Sequence, residues 1–138
     1  MSEEPVTQKP HVRSILFCDE AILDARTSRM TLVNLLFDLP LKRTGVLYPK
    51  VCLVLAMTAG HGKGTIGVAL TNPAGETIGR ARQEVSFQSP LQVLCQVFAF
   101  ANIMLAQFGD YTATITWNDE LLEQASFKVF QRKPAAAK

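Results

Sequence analysis

The sequence predicts an all-β protein, a single β-sandwich of about eight mainly antiparallel strands. The first observation behind this is strict alternation. Ile66, Val68 and Leu70 alternate with Thr65, Gly67, Ala69 and Thr71, and Tyr111, Ala113, Ile115 and Trp117 alternate with Thr112, Thr114 and Thr116. A period of two marks a strand with one buried face. The second is punctuation: short runs of Val, Ile, Leu, Thr and Phe are separated by Gly, Pro, Asn or Asp. The third is size. The chain has 138 residues, 48% of them hydrophobic and 19% charged, enough for one domain with its own core.

The elements follow in order. Residues 11–23 form the first run, and the polar break Asp24-Ala25-Arg26-Thr27-Ser28-Arg29 separates it from a second over 30–39. Good helix formers at 19–29 make a short helix the alternative there. A connection over 40–49 leads to a strand at 51–58. Gly60-His61-Gly62-Lys63-Gly64 then turns the chain into 65–71. In Asn72-Pro73-Ala74-Gly75, Pro presets its own backbone angle and Gly permits positive φ, so a turn is expected. Strands at 76–87 and 91–105 come next, and the β-favouring Val93, Val97, Phe98 and Phe100 decide the second against a helix. Gly109-Asp110 opens the final pair, whose last member, 121–131, places Ala125, Phe127 and Val129 on one face. Residues 1–10 and 133–138 read as tails around a domain spanning 11–132.

Charge and cysteine usage narrow the function classes. Fourteen Lys and Arg against twelve Asp and Glu give a formal charge of +2, too small and too scattered for a nucleic-acid binder. The start, Met1-Ser2-Glu3-Glu4-Pro5, is acidic rather than the basic start of a signal peptide. The longest nearly uncharged stretch, 85–107, is broken by Ser86, Gln88, Ser89, Pro90, Gln92, Gln96 and Asn102, so it is a poor membrane span. Cys18, Cys52 and Cys95 show neither CxxC spacing nor an even count, and each sits in an apolar run. They read as buried free thiols in a cytoplasmic protein.

Gly60-His61-Gly62-Lys63-Gly64-Thr65 invites comparison with a phosphate-binding loop. Aligned on Gly62-Lys63, however, the motif places Met57 where the first Gly belongs and Gly64 where a hydroxyl is needed. The expectation is a glycine-rich hairpin loop, with Gly60, His61, Gly62, Lys63 and Gly64 a candidate binding loop. Cys18-Asp19-Glu20 with Asp24 is the nearest thing to a metal cluster, but adjacent strand residues point to opposite faces. No G-x-S-x-G accompanies the two histidines, His11 and His61. No cofactor, metal or catalytic constellation is expected. Arg80 and Arg82 share a strand face and are placed to flank a modest anionic groove.

Residues 91–105 are apolar on both alternations, with Val93, Cys95, Val97, Ala99, Ala101 and Ile103 against Leu94, Phe98, Phe100 and Met104. A sheet with one solvated face would alternate with polar residues. The second face is therefore expected to be covered, by a subunit or by the 40–49 connection, with Leu94, Phe98, Phe100 and Met104 a candidate interface.

Several of these residues also line up as a pattern. Phe17-Cys18-Asp19-Glu20 is followed by Met30-Thr31-Leu32-Val33-Asn34-Leu35-Leu36-Phe37-Asp38, then Pro49, Asn72-Pro73-Ala74-Gly75-Glu76, Gly109-Asp110-Tyr111 and Trp117-Asn118-Asp119-Glu120. Over about residues 14–130 the chain resembles a family of small bacterial proteins of unknown function with a leading C-D-[DE] and a closing G-x-Y…N-[GD]. The resemblance implies a compact immunoglobulin-like or C2-like β-sandwich and carries over no catalytic residue. The expected function is a non-catalytic interaction module with a protein partner or a second copy of itself. The alternative is a small-molecule or lipid-binding sandwich with a pocket lined by Phe98, Phe100 and Trp117, and an enzyme comes third.

Overall fold

The computed structural model describes residues 8–133. Both predicted tails fall largely on residues 1–7 and 134–138, outside the described residues. Nine strands run in chain order: β1 His11–Asp24, β2 Arg29–Leu35, β3 Asp38–Leu41, β4 Val46–Thr58, β5 Gly62–Thr71, β6 Thr77–Phe87, β7 Leu94–Leu105, β8 Gly109–Trp117 and β9 Glu120–Gln131. They form a four-stranded sheet, β2-β1-β4-β7, and a five-stranded sheet, β3-β9-β8-β5-β6. Among the described residues no helix is long and apolar enough to cross a membrane.

The alternating segments bury the faces their patterns select. Ile66, Val68 and Leu70 of β5 and Tyr111, Ala113, Ile115 and Trp117 of β8 all lie in the core, opposite Val51, Leu53, Leu55 and Met57 of β4. Aromatic rings join the sheets: Phe17 of β1 meets Phe127 of β9 edge-on at 5.1 Å, and Tyr111 stacks on Phe127 at 5.5 Å. The Tyr111 hydroxyl donates to the Gln107 carbonyl at 2.7 Å and accepts from its N–H at 3.3 Å. This is a tyrosine corner of the kind found in immunoglobulin-like sandwiches.

Three local expectations change. No helix occupies 19–29: β1 stays extended to Asp24, whose carboxylate accepts the Arg26 N–H at 2.9 Å while its carbonyl accepts the Ser28 N–H at 2.8 Å. The run 30–39 is two strands in different sheets. Leu36 enters the core, its N–H on the Phe17 carbonyl at 2.8 Å, and the chain crosses to pair β3 parallel with β9. Periodicity cannot register a strand that changes sheets between two apolar residues. This also accounts for nine strands rather than about eight, and it places part of the 40–49 connection in the five-stranded sheet instead of over β7.

The third change concerns β7 itself. Asn102 has φ +54°, a left-handed conformation that Asn tolerates better than most residues. It and Pro49 lie between the paired positions Tyr48–Ile103 and Lys50–Ala101. There both strands change phase. Phe98 and Phe100 point into the core before the break, and Ile103 and Leu105 do so after it. The phase change brings Ile103 inward and turns Met104 outward, while Cys95, Val97, Ala99 and Ala101 stay on the outer face, so β7 is apolar on both faces. Asn34, with φ +55°, stands opposite Asp19 at the corresponding place between β1 and β2.

Candidate interaction surface

The glycine-rich segment is dispersed by the fold rather than gathered into a cradle. His61 forms a two-bond bridge with Gln8, at 2.8 and 3.2 Å. A Cβ on Gly60 would stand 2.6 Å from the Phe87 ring, and one on Gly64 would stand 2.2 Å from the Trp117 ring. Gly62 has φ +81°. Two of these glycines therefore seat aromatic rings and the third makes a turn. Lys63 faces outward into an open depression of about 460 Å³ with Thr65, Glu84, Ser86 and Asn118.

The candidate interface residues also separate. Phe98 and Phe100 are 4% and 5% exposed, beneath the opposite sheet of the same chain, whereas Met104 points outward and is 46% exposed. Leu94 packs partly against the core. Because the strand changes phase at Asn102, positions 98 and 104 lie on opposite faces despite their even spacing. Trp117, at 3%, joins Phe98 and Phe100 in filling the inter-sheet space where a ligand pocket was the alternative expectation.

What the structure brings together instead is an apolar outer face. The pairing registers align Leu35, Cys18, Cys52 and Ala99 in one row across the four-stranded sheet, and Leu16, Val54 and Val97 in the next. Cys18, Cys52 and Val54 form their own buried cluster there, bordered by Met30, Leu32 and Val97. The corresponding row on the other sheet reads Gln124, Thr114, Ala69, Arg80. Arg80 and Arg82 do flank a shallow groove over Gly67 and Ala69, with Arg82 held 3.4 Å from Asp119. One outer face is polar, as a solvated antiparallel sheet should be, and the other is not.

The sheet edges differ in the same way. β3 is four residues long and contains Asp38 and Pro40; β6 carries Arg80, Arg82 and Glu84; β2 begins at Arg29. Charge, proline and brevity are the usual protections of an exposed edge. β7, at the edge of the four-stranded sheet, has twelve residues and no charge, and its Cys95, Ala99 and Ala101 are exposed. The opposed thiols Cys18 and Cys52 and this edge are what sequence reasoning missed. The available signal was an asparagine interrupting an apolar strand, at Asn34 and again at Asn102.

Polar side chains close one end of this sheet. Asp19 accepts from the Tyr48 hydroxyl and from Asn34 Nδ2 at 3.0 Å, and Glu20 pairs with Lys50 at 2.8 Å. Burial pushes the Cys18 and Cys52 thiols up; Cys95, expected to be buried like them, is instead exposed on β7, and partial desolvation raises its thiol. Burial and the Asp19 carboxylate together hold the Tyr48 phenol well above its ordinary range. Because the folded value is raised, the stability this contributes is present below the unfolded phenol's value near 10 and is lost as pH rises beyond it. Tyr48→Phe is expected to cost about 1–2 kcal/mol at neutral pH. It should also flatten the fall in stability above about pH 10, measured by urea unfolding at neutral and alkaline pH.

An immunoglobulin-like protein from Pseudomonas aeruginosa is similar in structure at TM-score 0.40 and 12% identity, over 89% of this chain and 98% of that one. A beta-glucosidase from Kluyveromyces marxianus is similar at TM-score 0.37 and 13% identity, over 67% of this chain and 15% of that one. No curated protein matches the chain. The model of one protein family matches residues 13–130. The chain belongs to that family, the family of unknown function DUF6941.

Proposed function

We propose that this protein is a non-catalytic interaction module of the bacterial cytoplasm that binds a protein partner by adding a strand to the β7 edge. The observation that carries the reading is the twelve-residue uncharged β7, lying at the border of the apolar outer face. An added strand satisfies the free backbone groups of such an edge, and neighbouring side chains select the partner. The three unbridged cysteines support a reducing compartment.

Ala99→Lys tests the reading, because it places a charge in mid-edge at an exposed position where substitutions usually change stability by less than about 0.5 kcal/mol. Wild-type bait should capture a reproducible partner from the native cell, and the Lys variant should lose it with its melting temperature intact. A partner held equally by both baits, or none under any condition, would overturn it.

A further inference from the structure

We propose that Cys18 and Cys52 form a reversible dithiol–disulfide site, oxidised by a small peroxide and restored by a dithiol reductant. The pairing register sets the two residues directly opposite each other on the adjacent antiparallel strands β1 and β4. Opposed residues on such a ladder stand about 4.5 or 5.5 Å apart at Cα, depending on the alternation. Both spacings fall within the range of about 4.4–6.8 Å that a disulfide spans. The two side chains pack together with Val54, and Cys52 Sγ already leans across to β1, donating to the Asp19 carbonyl at 3.7 Å. Cys95 has no such partner: on β4 it stands opposite Ala56, four positions or about 14 Å along the strand from Cys52.

Two features make the site reversible rather than structural. Opposed Cβ atoms in a sheet lie about 4.5–5.5 Å apart, whereas a disulfide holds its Cβ atoms at about 3.8 Å. Closing the bond therefore draws β1 and β4 together, and a bond that strains its strands is more readily reduced. The cover is also thin. Both thiols are buried, but on the outer face, among the side chains of Met30, Leu32 and Val97 rather than under the opposite sheet. Met30 and Leu32 belong to β2, an edge strand, and local opening of such a strand costs less than global unfolding.

Burial disfavours both thiolates, and Lys50 offsets part of this at Cys52, so Cys52 is the attacking sulfur. Its thiolate attacks one oxygen of hydrogen peroxide and the O–O bond breaks. This leaves a Cys52 sulfenic acid and a hydroxide, which takes the proton the thiol released. The Cys18 sulfur then attacks the sulfenic sulfur, the S–S bond forms, and the departing hydroxide takes the Cys18 proton. The two thiols lose two electrons, and one peroxide becomes two waters.

The test uses the full chain carrying Cys95→Ser, which removes the exposed thiol. The folded protein is treated with hydrogen peroxide, quenched with catalase, and only then unfolded in N-ethylmaleimide. Both alkylatable thiols should be lost, with an intact mass lower by two hydrogens. Peptide mapping should join Cys18 to Cys52 within one chain, and dithiothreitol should restore both maleimide adducts. Thiols that stay alkylatable, or that gain oxygen without linking, overturn the proposal. A bond that joins two chains, or one that dithiothreitol does not reverse, overturns it as well.

Discussion

Trp117→Ala is expected to lower stability by about 3–5 kcal/mol, at the upper end for a large-to-small core change. The ring is 3% exposed and meets Phe87 edge-on at 6.1 Å. One side of the ring lies against Gly64, which has no side chain to move into the space left behind. Cost rises with residual cavity volume, and this site is poorly able to collapse. For a chain of this size the melting temperature should fall by roughly 10–15 °C, checked by calorimetry and urea unfolding.

Gly64→Ala approaches the same contact from the other side. The added methyl would stand 2.2–2.6 Å from three indole carbons, so the ring or strand β5 must shift. Overpacking of this kind costs about 1–3 kcal/mol, and the buried ring argues for the upper half. The decisive measurement is the double mutant. In the Trp117→Ala background Gly64→Ala should be close to neutral, since the methyl then enters vacant space, and the two changes should be strongly non-additive. Equal costs in both backgrounds would show that Gly64 serves something other than ring packing, and would return the glycine-rich segment to consideration as a ligand loop.

Strands β5 and β8 were legible residue by residue, because a strict period of two needs only one buried face and adjacent turns. Asn72-Pro73-Ala74-Gly75 was legible for a similarly local reason: the Asn72 carboxamide accepts the Ala74 and Glu76 N–H groups at 3.0 and 2.9 Å, within its own turn. β7 was not. Its identity as a strand followed from β-branched and aromatic residues, but its facing depended on one left-handed residue, Asn102, opposite Pro49. The sequence shows that asparagine plainly and does not show its backbone angle. The glycines at 60 and 64 misled in the same way, because a missing side chain looks alike whether a phosphate or an indole ring occupies the space.

By itself the sequence determined the class of object: one mainly antiparallel sandwich, low in charge, built from strands whose inward residues are spelled out by alternation and whose ends are set by turn chemistry. These are local properties, decided within a few residues by sterics and the pleat. The tertiary structure alone decided what lies beside what. It moved 38–41 into the other sheet, aligned Leu35, Cys18, Cys52 and Ala99 across four strands, and left the uncharged β7 at an edge. Pairing partners come from distant parts of the chain, and a one-residue change of phase reverses every side chain after it. Periodicity therefore identifies the strands, but only the assembled sheets reveal which apolar face is the core and which lies on the outside.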